Sequence, residues 1–166
     1  SQIIANRIEL SQEEKELLKR ASPLHDIGKI TIPDHILNKS GALTKDEFEA
    51  VKKHTVSGYN ILKTVDSDIF KCAAVIALEH HEKWDGTGYP NGLKGAEIST
   101  FGRITAIADV FDALTSKRCY KEAWGMDRAL QALKEGRGNH FDPNFIDIFF
   151  DSLDEIRDTF KKYSDA

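Results

Sequence analysis

The sequence predicts an all-α fold, a compact multi-helix bundle, and three observations carry that prediction. Helix-starting signatures recur: Ser11 with Glu14, and Thr44 with Glu47, each a hydroxyl followed three residues later by a glutamate. Apolar residues between such signals return at three- and four-residue intervals. No stretch alternates apolar and polar residues long enough to build a sheet. The 166 residues, 40% hydrophobic and 30% charged, suit one domain with its own core. No repeat, low-complexity tract or linker divides residues 1–166.

Taken in order, Ser1 to Ile8 reads as the tail of a helix whose beginning is missing, so the chain is expected to be a fragment of something longer. Ser11 caps a helix with acidic residues in its first turn, running toward His25. Thr31-Ile32-Pro33-Asp34 breaks the chain and Lys39-Ser40-Gly41 turns it. The helix opened by Thr44 carries Glu47, Val51, His54, Gly58 and Ile61 on one stripe, which directs His54 inward and lets a neighbour approach closely at Gly58. A further helix lines up Ile69, Cys72, Ala73, Ile76 and His80, with His81 rotated about 100° away. Gly86, Gly88, Pro90, Gly92 and Gly95 mark a loop from Asp85 to Glu97. Ser99 caps a long helix through Leu114, on which Asp109 and Asp112 are surface neighbours. Helices near Asp127–Glu135 and Pro143–Phe160 complete the chain.

Composition narrows the function classes. A net charge of −4 gives no electrostatic footprint for duplex nucleic acid, while a local cluster of basic groups can still receive a small anion. The two cysteines, Cys72 and Cys119, lie far apart without a CxxC spacing, which suits reduced thiols in a cytoplasmic protein. No apolar run approaches the roughly 20 residues that cross a bilayer, and no secretory signal opens the chain.

Chemistry concentrates at four stations: His25-Asp26, His54, His80-His81 and Asp109. Imidazole with carboxylate suits iron, manganese, zinc or a similar cation, and a carboxylate can bridge two of them. An isolated His-Asp pair serves equally well as a helix-end cap, and a single inward histidine is more often satisfied by a carbonyl. Several stations converging on one interior favour a shared metal site, because buried ionisable groups need partners. Lys29 lies about one helical turn past the pair and reads either as a phosphate contact or as a solvated lysine. Arg118 and Lys121 form a basic pair suited to phosphate, or an ordinary charged turn. His35 and His140 sit where turn or helix-start roles suffice, and Trp84 reads as a packing anchor.

The blocks His25-Asp26-Ile27-Gly28-Lys29, His54, His80-His81-Glu82-Lys83-Trp84-Asp85-Gly86-Thr87-Gly88-Tyr89-Pro90 and Ala108-Asp109-Val110-Phe111-Asp112 resemble the HD-GYP proteins, a branch of the HD phosphohydrolase superfamily. The resemblance spans essentially the whole chain and implies an HD-domain bundle with the glycine-rich loop beside a central metal site. It implies a metal-dependent phosphodiesterase that hydrolyses cyclic di-GMP to the linear dinucleotide pGpG, to GMP, or to both. Its implied ligands are His25, Asp26, His54, His80, His81 and Asp109, holding two divalent ions, iron or manganese, with zinc or nickel as alternatives. Asp26 would be the bridge, with a catalytic role beside Lys29. Lys29, Arg118 and Lys121 would bind the phosphate, and Gly88, Tyr89 and Pro90 would meet substrate or a partner such as a diguanylate cyclase (GGDEF) protein. Asp112 would serve as a ligand only where a third metal is held.

Two departures qualify the resemblance. The upstream helix of the family carries a further histidine, and its expected absence here argues against a third metal. Cys119 stands between Arg118 and Tyr120 where the family has proline. Other readings stay open: an HD phosphohydrolase on another cyclic dinucleotide or nucleotide, or a catalytically weak interaction module, with a homodimer also open. Nothing in the residues identifies guanine directly.

Overall fold

In a computed structural model, residues 1–116 and 124–164 are described. They form α1 (Gln2–Ala5), α2 (Gln12–Ala21), α3 (Asp34–Leu37), α4 (Lys45–Leu62), α5 (Asp68–Glu79), α6 (Thr100–Thr115), α7 (Met126–Glu135), α8 (Pro143–Asp151) and α9 (Leu153–Ser164). Short 3-10 turns cover Ser22–Leu24, Ile27–Thr31 and Gly95–Glu97. Among the described residues no strand forms, only an isolated bridge between Arg137 and Phe141. The all-α expectation holds.

The caps explain where the helices start. Ser11 Oγ accepts from the Glu14 amide while Glu14 accepts from the Ser11 amide, and Thr44 with Glu47 repeats the arrangement. Ser99 Oγ accepts from Gly102 N at the start of α6. The helix that the sequence extends from Pro143 to Phe160 is instead two. Ser152 leaves helical geometry at φ −108° and ψ 14°, buries its side chain, and donates its hydroxyl to the Ile148 carbonyl. Apolar spacing continues across the break, so nothing in the residue pattern announces it.

The helix α5 is the spine, packing against α2, α4 and α6, while α7 and α8 lie on α6. Leu18, Ile76, Ile104, Ile107, Leu133 and Ile146 are fully buried at the centre. Each contributes about 1.5–3 kcal/mol by leaving water. Two glycines set the placement of the functional groups. A Cβ on Gly28 would lie 1.9 Å from the His54 carbonyl oxygen and 2.5 Å from Gly58 N, so the Ile27–Thr31 turn sits backbone-to-backbone on α4. A Cβ on Gly58 would meet the Ala77 side chain of α5 at 3.1 Å and Gly28 N at 3.3 Å, so α5 and the turn close on α4 at the same point. Asp26, His54 and His80 are thereby drawn together. No helix is long and apolar enough to cross a membrane among the described residues.

Candidate metal centre

Three local backbone features present the candidate ligands. His25 closes the Ser22–Leu24 turn and Asp26 opens the next one. His54 lies on the buried face of α4, 1% exposed. At the end of α5, His80 is the C-cap with helical φ and ψ, and the chain leaves the helix just after it. That early exit brings His81 back beside His80, ring centroids 4.0 Å apart, although an uninterrupted helix would rotate it away.

The hydrogen bonds fix which nitrogens point inward. His25 Nδ1 donates to the Ser22 carbonyl at 2.8 Å, His54 Nδ1 to Val51 at 2.7 Å, and His80 Nδ1 to Ala77 at 3.0 Å. With Nδ1 carrying the proton, each neutral imidazole offers an Nε2 lone pair to the interior. Those lone pairs face one carboxylate. Asp26 Oδ1 lies 3.4 Å from His54 Nε2 and 3.8 Å from His80 Nε2, while Oδ2 lies 3.5 Å from His25 Nε2 and 2.5 Å from Lys29 Nζ. His25 Nε2 is also 3.6 Å from Asp109 Oδ1. The two Nε2 atoms of His54 and His80 stand 3.4 Å apart.

Lone pairs opposed to lone pairs need a positive charge between them. Asp26 Oδ1 is buried and lacks a hydrogen-bond partner among the described residues, an arrangement that costs free energy unless a cation satisfies it. One donor atom each from Asp26, His54, His80 and His81 falls within 4.8 Å of the others, a spacing that a single ion can span. The residues present therefore fit a metal, with the second oxygen of Asp26 directed to His25 Nε2 and Lys29 Nζ.

Protonation agrees with that fit at His54, His80 and His81, whereas His25 would first have to give up a proton. Burial lowers the His54 imidazole. Burial, then the charge of His25, lowers His80 to about 4, and burial with His80 beside it lowers His81 to about 3. All three are neutral at physiological pH, the form that can bind a metal. For His25, burial acts downward, but contacts to Asp109 and Asp26 outweigh it and raise the group to about 10. Burial would raise the carboxyl of Asp26, yet His25 and Lys29 hold it well below the usual carboxylate range, and against the same burial His25 lowers that of Asp109.

Of the remaining candidates, Lys29 reaches the site through its ion pair with Asp26, leaving part of its side chain open to solvent. Asp112 is exposed and accepts from Ser116 Oγ, standing at the rim of a cleft of about 280 Å³ that it shares with His25, Asp26 and Asp109. Of Gly88, Tyr89 and Pro90, it is Tyr89 that reaches the cluster, its ring stacked on His81 at 4.9 Å, while Gly88 packs on the Glu82 and Lys83 backbone and Pro90 lines a pocket with Lys52 and Val56 of α4. Arg118, Lys121 and Cys119 lie outside the described residues. His35 is exposed, His140 stacks on Phe141 at 4.2 Å, and Trp84 packs beneath the Arg103 guanidinium.

Sequence reasoning missed three groups here. Glu82 is buried and accepts from the amides of Asn91 and Leu93. Phe48 and Lys52 of α4 flank Tyr89, with the Lys52 ammonium 5.5 Å from the Tyr89 ring centre. Only the i, i+4 spacing of Phe48 and Lys52 hinted that they share a face.

A family profile for the HD domain matches residues 1–145. The cyclic di-GMP phosphodiesterase response regulator RpfG of Xanthomonas campestris is 45% identical over 164 residues, covering 99% of this chain and 43% of that protein. The 3'3'-cGAMP-specific phosphodiesterase 2 of Vibrio cholerae is 45% identical over 153 residues, covering 92% of this chain and 29% of that protein. A cyclic di-GMP phosphodiesterase of Thermotoga maritima is 43% identical over 162 residues, 98% of this chain and 44% of that protein. Among solved structures, a cyclic GMP-AMP-specific phosphodiesterase of Vibrio cholerae superposes with a TM-score of 0.71 over 96% of this chain and 43% of that one. Its 20% identity speaks for the fold. The chain belongs to the HD domain family, as the HD-GYP resemblance implied. It spans less than half the length of these curated relatives.

Proposed function

We propose that residues 1–166 form a metal-dependent phosphodiesterase domain that hydrolyses cyclic di-GMP to linear pGpG, to GMP, or to both. One observation carries the reading: the Asp26 carboxylate stands between the Nε2 atoms of His54 and His80 on one side and that of His25 on the other, with Oδ1 buried and unpartnered. The family and the relatives named for this substrate class support it. In this reading His25, Asp26, His54, His80, His81 and Asp109 hold two divalent ions, iron or manganese, with zinc or nickel as alternatives.

Bound there, the ions would supply an activated water and neutralise charge on the phosphoryl oxygens. The protein groups do the rest. Asp26 and Asp109 hold negative charge against the histidines, and the backbone carbonyls of Ser22, Val51 and Ala77 lock three imidazoles in the ligating tautomer. Lys29, tethered to Asp26 Oδ2, stands at the edge of the site to receive a phosphoryl oxygen or to give its proton to the leaving alkoxide. Arg118 and Lys121 would take the phosphate, on the strength of the resemblance. Asp112, at the rim, would ligate only with a third ion.

A second reading is favoured by a specific finding: a relative as similar as any given above is named for 3'3'-cGAMP, a mixed cyclic dinucleotide. Substrate choice therefore lies between cyclic dinucleotides that differ in one base. As partners we propose cyclic dinucleotides and, through Tyr89 and Pro90, diguanylate cyclase (GGDEF) proteins, in the cytoplasm. The test is anaerobic reconstitution with ferrous iron or manganese, followed by chromatography of cyclic di-GMP and 3'3'-cGAMP digests. Turnover of either supports the domain as an enzyme and ranks the two substrates. No turnover with metal bound would turn the reading toward an interaction module.

A further inference from the structure

The ring of His81 is held differently from those of its neighbours. His25, His54 and His80 each give a ring N–H to a backbone carbonyl, and no carbonyl takes one from His81 among the described residues. Its orientation rests on ring contacts instead: His80 at 4.0 Å, His54 edge-on at 5.1 Å, and Tyr89 at 4.9 Å, tilted by 30°. The Tyr89 amide also donates to the His81 carbonyl at 3.2 Å. Tyr89 sits on a loop, and that loop has an anchor. Glu82, 2% exposed, accepts from Asn91 N at 2.7 Å and Leu93 N at 3.0 Å. One carboxylate thus ties the residue following His81 to the backbone just beyond Pro90. Gly88 closes the fold-back, since a Cβ there would lie 2.3 Å from Lys83 N and 2.5 Å from Glu82 Cα.

We propose that Glu82 is a positioning residue: its buried carboxylate pins the loop that holds the Tyr89 ring against the His81 imidazole. The proposal rests on His81 being a metal ligand, as in the reading above. Ligating histidines elsewhere are oriented by hydrogen bonds from outside the coordination sphere, and losing such a partner typically costs about 10- to 100-fold in metal affinity or activity. Here a ring stack on a carboxylate-anchored loop takes the place of that hydrogen bond. A glutamine at position 82 keeps the size but sets an amide N–H₂ against one of the two backbone N–H groups, so the loop would release one strand of its attachment.

The test is a double-mutant cycle on manganese affinity, measured by titration of the folded protein, with cyclic dinucleotide turnover followed in the same samples. Glu82→Gln should weaken manganese binding about 10- to 100-fold in the parent and less than about 3-fold in a Tyr89→Ala background, because the ring through which it acts is already gone. A merely structural glutamate would lower the melting temperature equally in both backgrounds and leave the affinity of the folded protein unchanged, which would overturn the proposal. Equal affinity losses in both backgrounds would overturn it as well. Should Glu82→Gln fail to fold, Tyr89→Ala alone removes the ring while leaving the Glu82 bonds to Asn91 N and Leu93 N in place, and it should cost manganese affinity alike, with full retention counting against the proposal. A parent that binds manganese but turns over nothing would refute the enzymatic reading alone, since the affinity cycle still reports on Glu82.

Discussion

Gly28→Ala should cripple this domain out of proportion to the methyl group it adds. The new Cβ would stand 1.9 Å from the His54 carbonyl oxygen, 2.5 Å from Gly58 N and 2.9 Å from the His54 carbonyl carbon. All three are backbone atoms of α4, so no side chain can swing aside. Restoring ordinary contact requires moving the Ile27–Thr31 turn off α4 by about 1.5 Å, the gap between that overlap and van der Waals separation. Overpacking costs about 1–3 kcal/mol, and a clash with fixed backbone belongs at the upper end. At about 3 kcal/mol the melting temperature should fall by about 6–12 °C for a domain of this size. Function should suffer separately, because Asp26 caps the same turn and Lys29 lies within it. A displacement on the order of 1 Å at a reacting centre can cost about 100-fold. Thermal unfolding and manganese titration of the variant test both parts. A variant within about 1 kcal/mol of the parent, with undiminished manganese affinity, would refute the close-packing argument.

The remaining predictions concern protonation and caps. His25 is raised to about 10 in the folded chain from about 6.5 unfolded, so the stability it lends the metal-free protein is fully present below about pH 6.5 and lost as pH rises toward 10. Melting temperatures of the metal-free protein should fall across that window, and Asp109→Asn should flatten the slope. Loading metal near pH 7.5 should release about one proton, from His25, because His54, His80 and His81 are already neutral. Calorimetry in buffers of different ionisation enthalpy counts it, and a count of zero or of several contradicts the assignment. Thr44→Ala removes the hydroxyl that caps α4 and should cost about 1 kcal/mol in urea unfolding while leaving manganese affinity intact.

Much of the site could be read from side-chain type and spacing. The hydroxyl–glutamate pairs at Ser11 and Thr44 gave true helix starts because a cap is a local interaction over four residues. His54 and His80 point inward because the apolar stripe they share with Gly58 and Ile76 leaves them no other direction. What stayed hidden depends on long-range closure or on backbone partners. The break at Ser152 turns on one hydroxyl bonding back to Ile148. His81 joins the cluster because α5 ends at Glu79, one residue sooner than its pattern requires. Glu82 satisfies itself on amides of residues 91 and 93, and backbone amides are the same in every sequence, so no residue type could flag them.

In the proposed function, Asp26 joins two metal ions into one hydrolytic centre. Metal content and cyclic di-GMP turnover, measured on the same samples of parent and Asp26→Ala, test it most directly. The parent should carry about two ions per chain and turn over substrate, while the variant loses at least one ion and its turnover falls by about three orders of magnitude or more. A variant that keeps both metal content and turnover would contradict the account.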